Sequence, residues 1–166
     1  MTKAPTIIGK RIRLRAHVMK DMDAFWDFYQ SPRASHMDVP KNRAHLWYGF
    51  AAEVGSWALS GMGGWAIETD GALVGQVAIT QPPHFPETEI GWILFDGFEG
   101  LGLANEAARL ALEYTWTEIH PKSLVSYIDC KNTRSIALAK RLGAVEDPTA
   151  ARYDDADVVY RHPRPQ

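Results

Sequence analysis

A chain of 166 residues, 46% hydrophobic and 11% aromatic, is long enough to bury one good core and too short for two ordinary domains, so a single domain over residues 1–166 is expected. With 18 basic against 20 acidic residues the net charge is only -2, which argues against nucleic acid or a membrane surface as partner and for a small molecule or a protein. One cysteine excludes an internal disulfide framework, and Met1-Thr2-Lys3-Ala4-Pro5 leads into no apolar leader or spanning segment, so a cytoplasmic location is expected.

In chain order, Lys10-Arg11-Ile12-Arg13-Leu14-Arg15 alternates charge and aliphatic, the period-two pattern of a half-buried strand. Met22, Phe25, Trp26 and Tyr29 then fall at i, i+3, i+4 and i+7, predicting a helix that Ser31-Pro32 stops. A loop from Arg33 to Pro40 carries His36 and Asp38. A second helix, rich in Leu46, Trp47, Phe50, Val54 and Trp57, runs towards Gly61-Met62-Gly63-Gly64. The runs Trp65 to Thr69 and Ala72 to Ile79 flank Asp70-Gly71, a hairpin signal. A rigid proline-rich loop, Pro82 to Pro86, precedes a strand from Glu87 to Phe95. Leu103, Ala107, Leu110, Ala111 and Tyr114 give a helical stripe up to His120-Pro121, and Leu124 to Ile128 reads as another strand. A short helix from Asn132 to Leu142 ends at Gly143. Ala144 to Glu146 and Val158 to Arg161 predict a closing hairpin around the polar loop Asp147 to Asp157.

The most informative stretch is Glu99-Gly100-Leu101-Gly102-Leu103-Ala104-Asn105-Glu106, set between a strand and a helix. Glycines with no Cβ let backbone N–H groups converge, and the helix adds its unpaired N-terminal donors and the positive end of its dipole. A phosphate or pyrophosphate is the expected guest. The turn is not a P-loop, because no Lys-Ser or Lys-Thr follows the glycines. As a dinucleotide fingerprint it lacks the last small residue and lies too late for an opening βαβ unit. The other alternative is a plain connection that uses glycines only to bend.

The order β-α-α-β-β-β-α-β-α-β-β resembles the GCN5-related N-acetyltransferase (GNAT) family, and most closely its ribosomal-protein alanine acetyltransferase-like (RimJ/RimL-like) branch. Three pieces carry the resemblance: Glu89-Ile90-Gly91-Trp92-Ile93-Leu94, then Gly100 to Ala107, then Asn132-Thr133-Arg134-Ser135 closing on Arg141-Leu142-Gly143. It implies an α/β fold with a mixed, mostly antiparallel central sheet of six to seven strands and helices on both faces. It also implies an acyl-CoA site. The pyrophosphate would lie on the backbone of Gly100, Leu101, Gly102, Leu103, Ala104 and Asn105, and the pantetheine arm along Trp92, Ile93, Leu94 and Phe95, pairing with the strand's edge as another strand would. Where the family usually begins the glycine motif with glutamine or arginine, Glu99 brings a negative charge, so its side chain should turn away.

Asn132, Ser135 and Ala139 are spaced i, i+3, i+7 and share a helix face. The resemblance implies that this face meets the cofactor, with Asn132 on the pantetheine. Many relatives have a tyrosine at Ala139 that protonates the departing thiolate; Ser135 is the nearest replacement here. A thiol of pKa about 8.5 leaves near neutral pH with hydrogen-bond help alone. Asn132 and Ser135 also fit a capping role.

The acceptor must be a free amine. A lysine-type amine of pKa ~10.4 is neutral at pH 7 about once in 2,500 molecules, a cost of ~4.6 kcal/mol, while an α-amino group of pKa ~7.8 loses only ~1 kcal/mol. Glu89 is the best-placed carboxylate to act as base, with Glu68 on the neighbouring strand second. By resemblance His36 and Asp38 form a wall of the acceptor site. Asp147, Asp154, Asp155 and Asp157 bring an acidic bias that would attract a cationic amine. Trp47, Tyr48, Phe50 and Trp57 fit either an acceptor pocket or core, and Cys130 is read as a buried inert thiol. The histidines show no metal spacing, so no metal is expected.

These readings point to an acyl-CoA-dependent N-acyltransferase, with acetyl-CoA donating to a primary amine such as a protein N-terminus by direct attack in a ternary complex. Backbone N–H groups near Ile93 and Leu94 would polarise the carbonyl. A small-molecule amine or antibiotic acetyltransferase is the alternative within the enzyme class, and a CoA-binding module that has lost catalysis is the alternative outside it. Monomer and homodimer both remain open.

Overall fold

The computed structural model describes residues 3–165. Gly9 donates its N–H to the Ile12 carbonyl (2.8 Å), turning the chain back on itself. The alternating run at residues 10–15 is therefore strand only in its second half, β2 (Arg13–Arg15), which pairs with β1 (Ile7–Ile8) before the turn. Helix α1 (Asp21–Tyr29) ends in a 3-10 turn, Pro32–Ala34, where proline cannot continue the α-helical ladder. Helix α2 (Arg43–Ser60) starts where the Asn42 side chain accepts the His45 N–H (3.0 Å) and ends at Gly61, left-handed at φ 73°.

Strands β3 (Gly64–Thr69) and β4 (Ala72–Thr80) join through Asp70 and Gly71, both at positive φ, which matches the twist of a tight hairpin. Then follow β5 (Glu89–Leu94), α3 (Leu103–Tyr114), β6 (Val125–Asp129), α4 (Thr133–Arg141), β7 (Val145–Glu146) and β8 (Asp157–Arg161). The helical run predicted up to His120 changes after Tyr114 into a π turn, Thr115–Ile119, closed by His120 at φ 53°.

The eight strands among the described residues form one sheet, ordered β1-β2-β3-β4-β5-β6-β8-β7. The six to seven expected become eight because β1, a two-residue strand too short to show a period, adds to the seven in the predicted order. All pairs are antiparallel except β5 with β6, which are parallel and share one registered pair, Glu89 with Val125.

Two packed layers flank the sheet. On one side Leu103, Ala107, Ala108 and Ala111 of α3 lie against Val77, Ile79 and Ile90. On the other, Phe25 and Phe28 of α1 and Leu46 and Phe50 of α2 enclose Ile93 and Phe95, with the Phe25 ring edge-on to Phe95 at 5.2 Å. Burying each such ring contributes about 1.5–3 kcal/mol. Gly75 permits the tight β4–β5 approach, since a Cβ there would stand 2.1 Å from the Ile93 carbonyl oxygen.

Candidate active site

Strand β5 runs antiparallel to β4 on one flank and parts from β6 on the other, and this divergence opens the site. Successive residues of a strand point their N–H and C=O to opposite neighbours. Phe95 donates to the Val74 carbonyl of β4 (2.9 Å), whereas the Ile90 carbonyl accepts the Ser126 hydroxyl (2.7 Å) and the Leu94 carbonyl accepts Arg33 Nε (3.2 Å). The main-chain groups of Ile90, Trp92 and Leu94 therefore face the gap, and those of Ile93 and Phe95 face β4. This corrects the expectation for Ile93, whose N–H is turned inward, and for Phe95, whose ring is core.

A cleft of about 500 Å³ fills the divergence. Its floor is one face of the sheet: Gln76, Ala78 and Thr80 of β4 beside Glu89, Gly91 and Ile93 of β5. Trp92 lines it too, as do Asn132 and Ser135 of α4. The loop after α1 supplies His36 and Asp38, and His36 Nδ1 reaches Asp129 Oδ2 (3.6 Å) from the opposite wall. Phe85 packs against Tyr153 (4.6 Å between centroids) and edge-on to Tyr127 (5.7 Å), so two loops and β6 meet in the cleft wall.

The cleft is acidic. Asp38, Glu53, Glu89, Asp129, Asp154 and Asp157 line it, and no lysine or arginine does among the described residues. Burial pushes the Glu89 carboxyl up to about 8; an N–H of Tyr127 opposes that rise, while the charges of Glu53 and Asp157 add to it. Glu53, on the inward face of α2, is pushed up to about 7 by burial, and its Oε2 is covered and has no hydrogen-bond partner. The sequence reading passed over Glu53. Its signal was there: Leu46, Phe50, Glu53 and Trp57 stand at i, i+4, i+7 and i+11, a carboxylate inside the apolar stripe of a helix.

Other expected residues are placed elsewhere. Glu68 is bound by Arg13 and by Arg15 (2.6 Å to Nε) on β2, away from the cleft, because its neighbour strand presents arginines to it. Of the acidic loop, Asp147 is held by Arg161, and only Asp154 and Asp157 reach the cleft. Phe50 and Trp57 are core, while Trp47, Tyr48 and Cys130 are exposed. Cys130 is thus not the buried thiol expected.

Asn132 caps α4 by accepting the Ser135 N–H (3.2 Å), and Ser135 Oγ accepts the Trp92 indole N–H (3.3 Å). The serine hydroxyl proton stays free for another acceptor. Ala139 is fully buried beside Ile128, Ala144 and Tyr160, and Trp92 packs on that cluster.

The glycine turn lies at the other end of β5. Gly100 and Gly102 are left-handed (φ 76° and 77°), and Gly102 is the N-cap of α3. No acceptor among the described residues takes the N–H of Gly102, Leu103, Ala104 or Asn105. Leu103 anchors this end in the core, and Asn105 Oδ1 accepts from Arg109 (3.0 Å). Both acidic side chains nearby are already paired: Glu106 with Arg11 (2.9 Å), which also donates to the Leu101 carbonyl, and Glu99 with Arg33. Four free N–H groups flanked by neutralised carboxylates fit a diphosphate.

The chain matches the acetyltransferase (GNAT) domain family over residues 11–145. Its fold superposes on an acetyltransferase from Agrobacterium tumefaciens str. C58 with a TM-score of 0.90 and 37% identity, covering 96% of this chain and 94% of that one. The ribosomal L7/L12 alpha-N-protein acetyltransferase RimL, in complex with coenzyme A, has the same fold (TM-score 0.76, 15% identity, 95% and 96% coverage). Spermidine N(1)-acetyltransferase of Escherichia coli (strain K12) is 31% identical over 78 residues, which is 46% of this chain and only 42% of that protein's length. This chain belongs to the GNAT acetyltransferase family.

Proposed function

We propose that the chain is an acyl-CoA-dependent N-acyltransferase that moves acetyl from acetyl-CoA to a primary amine. The observation that carries this reading is the buried carboxyl of Glu89, standing where β5 and β6 part, beside a strand edge at Trp92 that faces an open cleft. Acetyl-CoA supplies the acyl group when bound: its thioester carbon accepts the amine nitrogen and its sulfur departs with the bonding pair.

The chain's own residues account for the rest. The N–H groups of Gly102 to Asn105 hold the diphosphate. The outward main-chain groups of Trp92 and Leu94 align the pantetheine amides, and Asn132 adds a side-chain contact. Glu89, as carboxylate, takes a proton from the amine at nitrogen; the Ser135 hydroxyl donates to the leaving sulfur. Trp92 orients that hydroxyl through its indole N–H. No tyrosine is required at Ala139, since a thiolate of pKa about 8.5 is a competent leaving group.

The acidic lining favours a cationic amine over a neutral or anionic acceptor. A protein N-terminus and a small basic amine both meet that description. The substitution of alanine for the family tyrosine at 139 supports a second reading, a CoA-binding module without turnover. Thermal-shift titration with acetyl-CoA, followed by thiol release with peptides and amines, separates them. Stabilisation with turnover is the expected result; stabilisation with no turnover on any acceptor selects the module, and no stabilisation defeats both.

A further inference from the structure

We infer that Glu53 pairs with a second positive charge on the acceptor, making the acceptor a linear diamine or polyamine. This rests on the N-acyltransferase reading above and names its substrate class. The two glutamates sit apart in the cleft. Glu89 lies at the rung opposite Thr80 and leans over Gly91, where its Oε1 is 3.7 Å from the position a Cβ would take, while Glu53 reaches down from α2 onto Gly64; Gly64 and Gly91 pair with the same residue, Ala78, from opposite sides. Gly64 makes room for that approach: a Cβ there would stand 3.0 Å from both Glu53 Oε2 and Gln76 Oε1. Gly64 and Gly91 are two strand spacings apart, roughly 10 Å, so the two carboxyls face each other across β4 with a gap of molecular length between them.

Chemistry separates their roles. The nitrogen that attacks must lose its proton, so the carboxylate beside it ends the step protonated. A carboxylate further along cannot serve that nitrogen; it can serve another one that stays an ammonium. Glu53 lines the cleft, and in the free protein its Oε2 is turned under cover with no hydrogen-bond partner, so rotation of the carboxyl onto a bound cation meets a bonding capacity that is otherwise unmet. A charge-assisted bond from an ammonium meets it and offsets the repulsion that Glu53 exerts on Glu89 and on the Tyr29 hydroxyl. Tyr29 and Trp92 also line the wall and offer aromatic faces to a cation. A peptide N-terminus carries no second ammonium at a fixed short distance from the first.

The test compares α,ω-diamines of increasing length with monoalkylamines of matched length. In the intact chain with acetyl-CoA, kcat/KM is expected to be at least tenfold higher for the best diamine than for its matched monoamine, with an optimum in length. Glu53→Gln is expected to collapse that ratio at least tenfold, through KM, and Glu53→Asp to shift the optimum to longer diamines. Equal ratios in both proteins, or a wild-type preference for a peptide α-amine, overturn the inference. Thermal shift by the same amines in the presence of CoA needs no turnover. Diamine-specific stabilisation lost in Glu53→Gln sustains the inference even if the transferase reading fails, and its absence in the wild type refutes it even if monoamines are acetylated. Acetyl-CoA stabilisation of Glu53→Gln certifies its fold.

Discussion

At the scale of single residues, two glutamates that look alike in composition are set to different tasks by where they stand. With its carboxyl raised to about 8, Glu89 is mostly protonated at pH 7 and becomes a base as the pH climbs. The expected profile of kcat/KM therefore rises up to about pH 8 and levels off, with apparent values belonging to the Glu53 and Glu89 pair together. Glu89→Gln should remove that limb and lower kcat/KM by about 10²–10⁴-fold; an unchanged profile assigns the base elsewhere. The place of Glu89 on the strand that feeds the glycine turn was legible in the sequence, because the apolar run Ile90 to Phe95 follows it directly. Glu68 was misplaced because strand alternation says which face a side chain takes and not which neighbour claims it, and β2 brings Arg13 and Arg15 to it. Glu53 escaped because a helical stripe is usually read for what is apolar in it.

Among the elements, the junction of β5 with α3 is the one most dependent on a backbone state. Gly102 is left-handed, and Arg11 Nη2 lies 3.3 Å from where a Cβ would be. Gly102→Val must meet both the strain of positive φ in a β-branched residue and a collision with the guanidinium. The expectation is loss of measurable CoA binding by calorimetry, with a far-UV spectrum that still shows α3, whose core face from Leu103 to Ala111 is untouched. Retained affinity would move the diphosphate away from this turn. The turn and its flanking elements were readable from glycine spacing and helical periodicity. The π turn at Thr115–Ile119 was not, because an i to i+5 ladder leaves no residue signature, and the parting of β5 from β6 was not, because a strand edge left unpaired reads in sequence like one that is paired.

For the molecule as a whole, the cleft gathers carboxyls from α2, β5, β6, β8 and two loops, so its charge is a property of the fold and not of any segment. That has a cost which depends on pH. Glu53 and Glu89 bind protons more tightly folded than unfolded, so stability falls as the pH rises from about 4.5 towards 8. His162, buried against Ser126 and lowered to about 4, acts the other way: the unfolded chain binds its proton more readily, so stability falls as the pH drops from about 6.5 to 4. Above pH 6.5 only the glutamates act. Thermal unfolding of the apo protein should therefore weaken between pH 6.5 and 8, less steeply in Glu53→Gln, and a flat curve over that range would contradict the burial of both carboxyls. Which segments converge on the cleft was the part least legible beforehand, because contacts such as Phe85 with Tyr153 join loops that no local pattern connects.

Arg33 takes on a different meaning at this scale. Its guanidinium holds Glu99 at the start of the glycine turn and the Leu94 carbonyl at the end of β5, while the chain three residues later presents His36 to the cleft. One side chain thus ties the start of the glycine turn to the end of β5, and the expected consequence is that a ligand bound at one seat stiffens the other. Thermodynamic reciprocity then requires that saturating amine tighten acetyl-CoA by the same factor that acetyl-CoA tightens the amine. Glu99→Gln, which weakens the tie without touching the N–H groups of Gly102 to Asn105, should leave the affinity for acetyl-CoA alone intact and bring that factor towards one. Cooperation between the two substrates would then be a matter of a single ion pair at the end of the strand, clear of the chemistry.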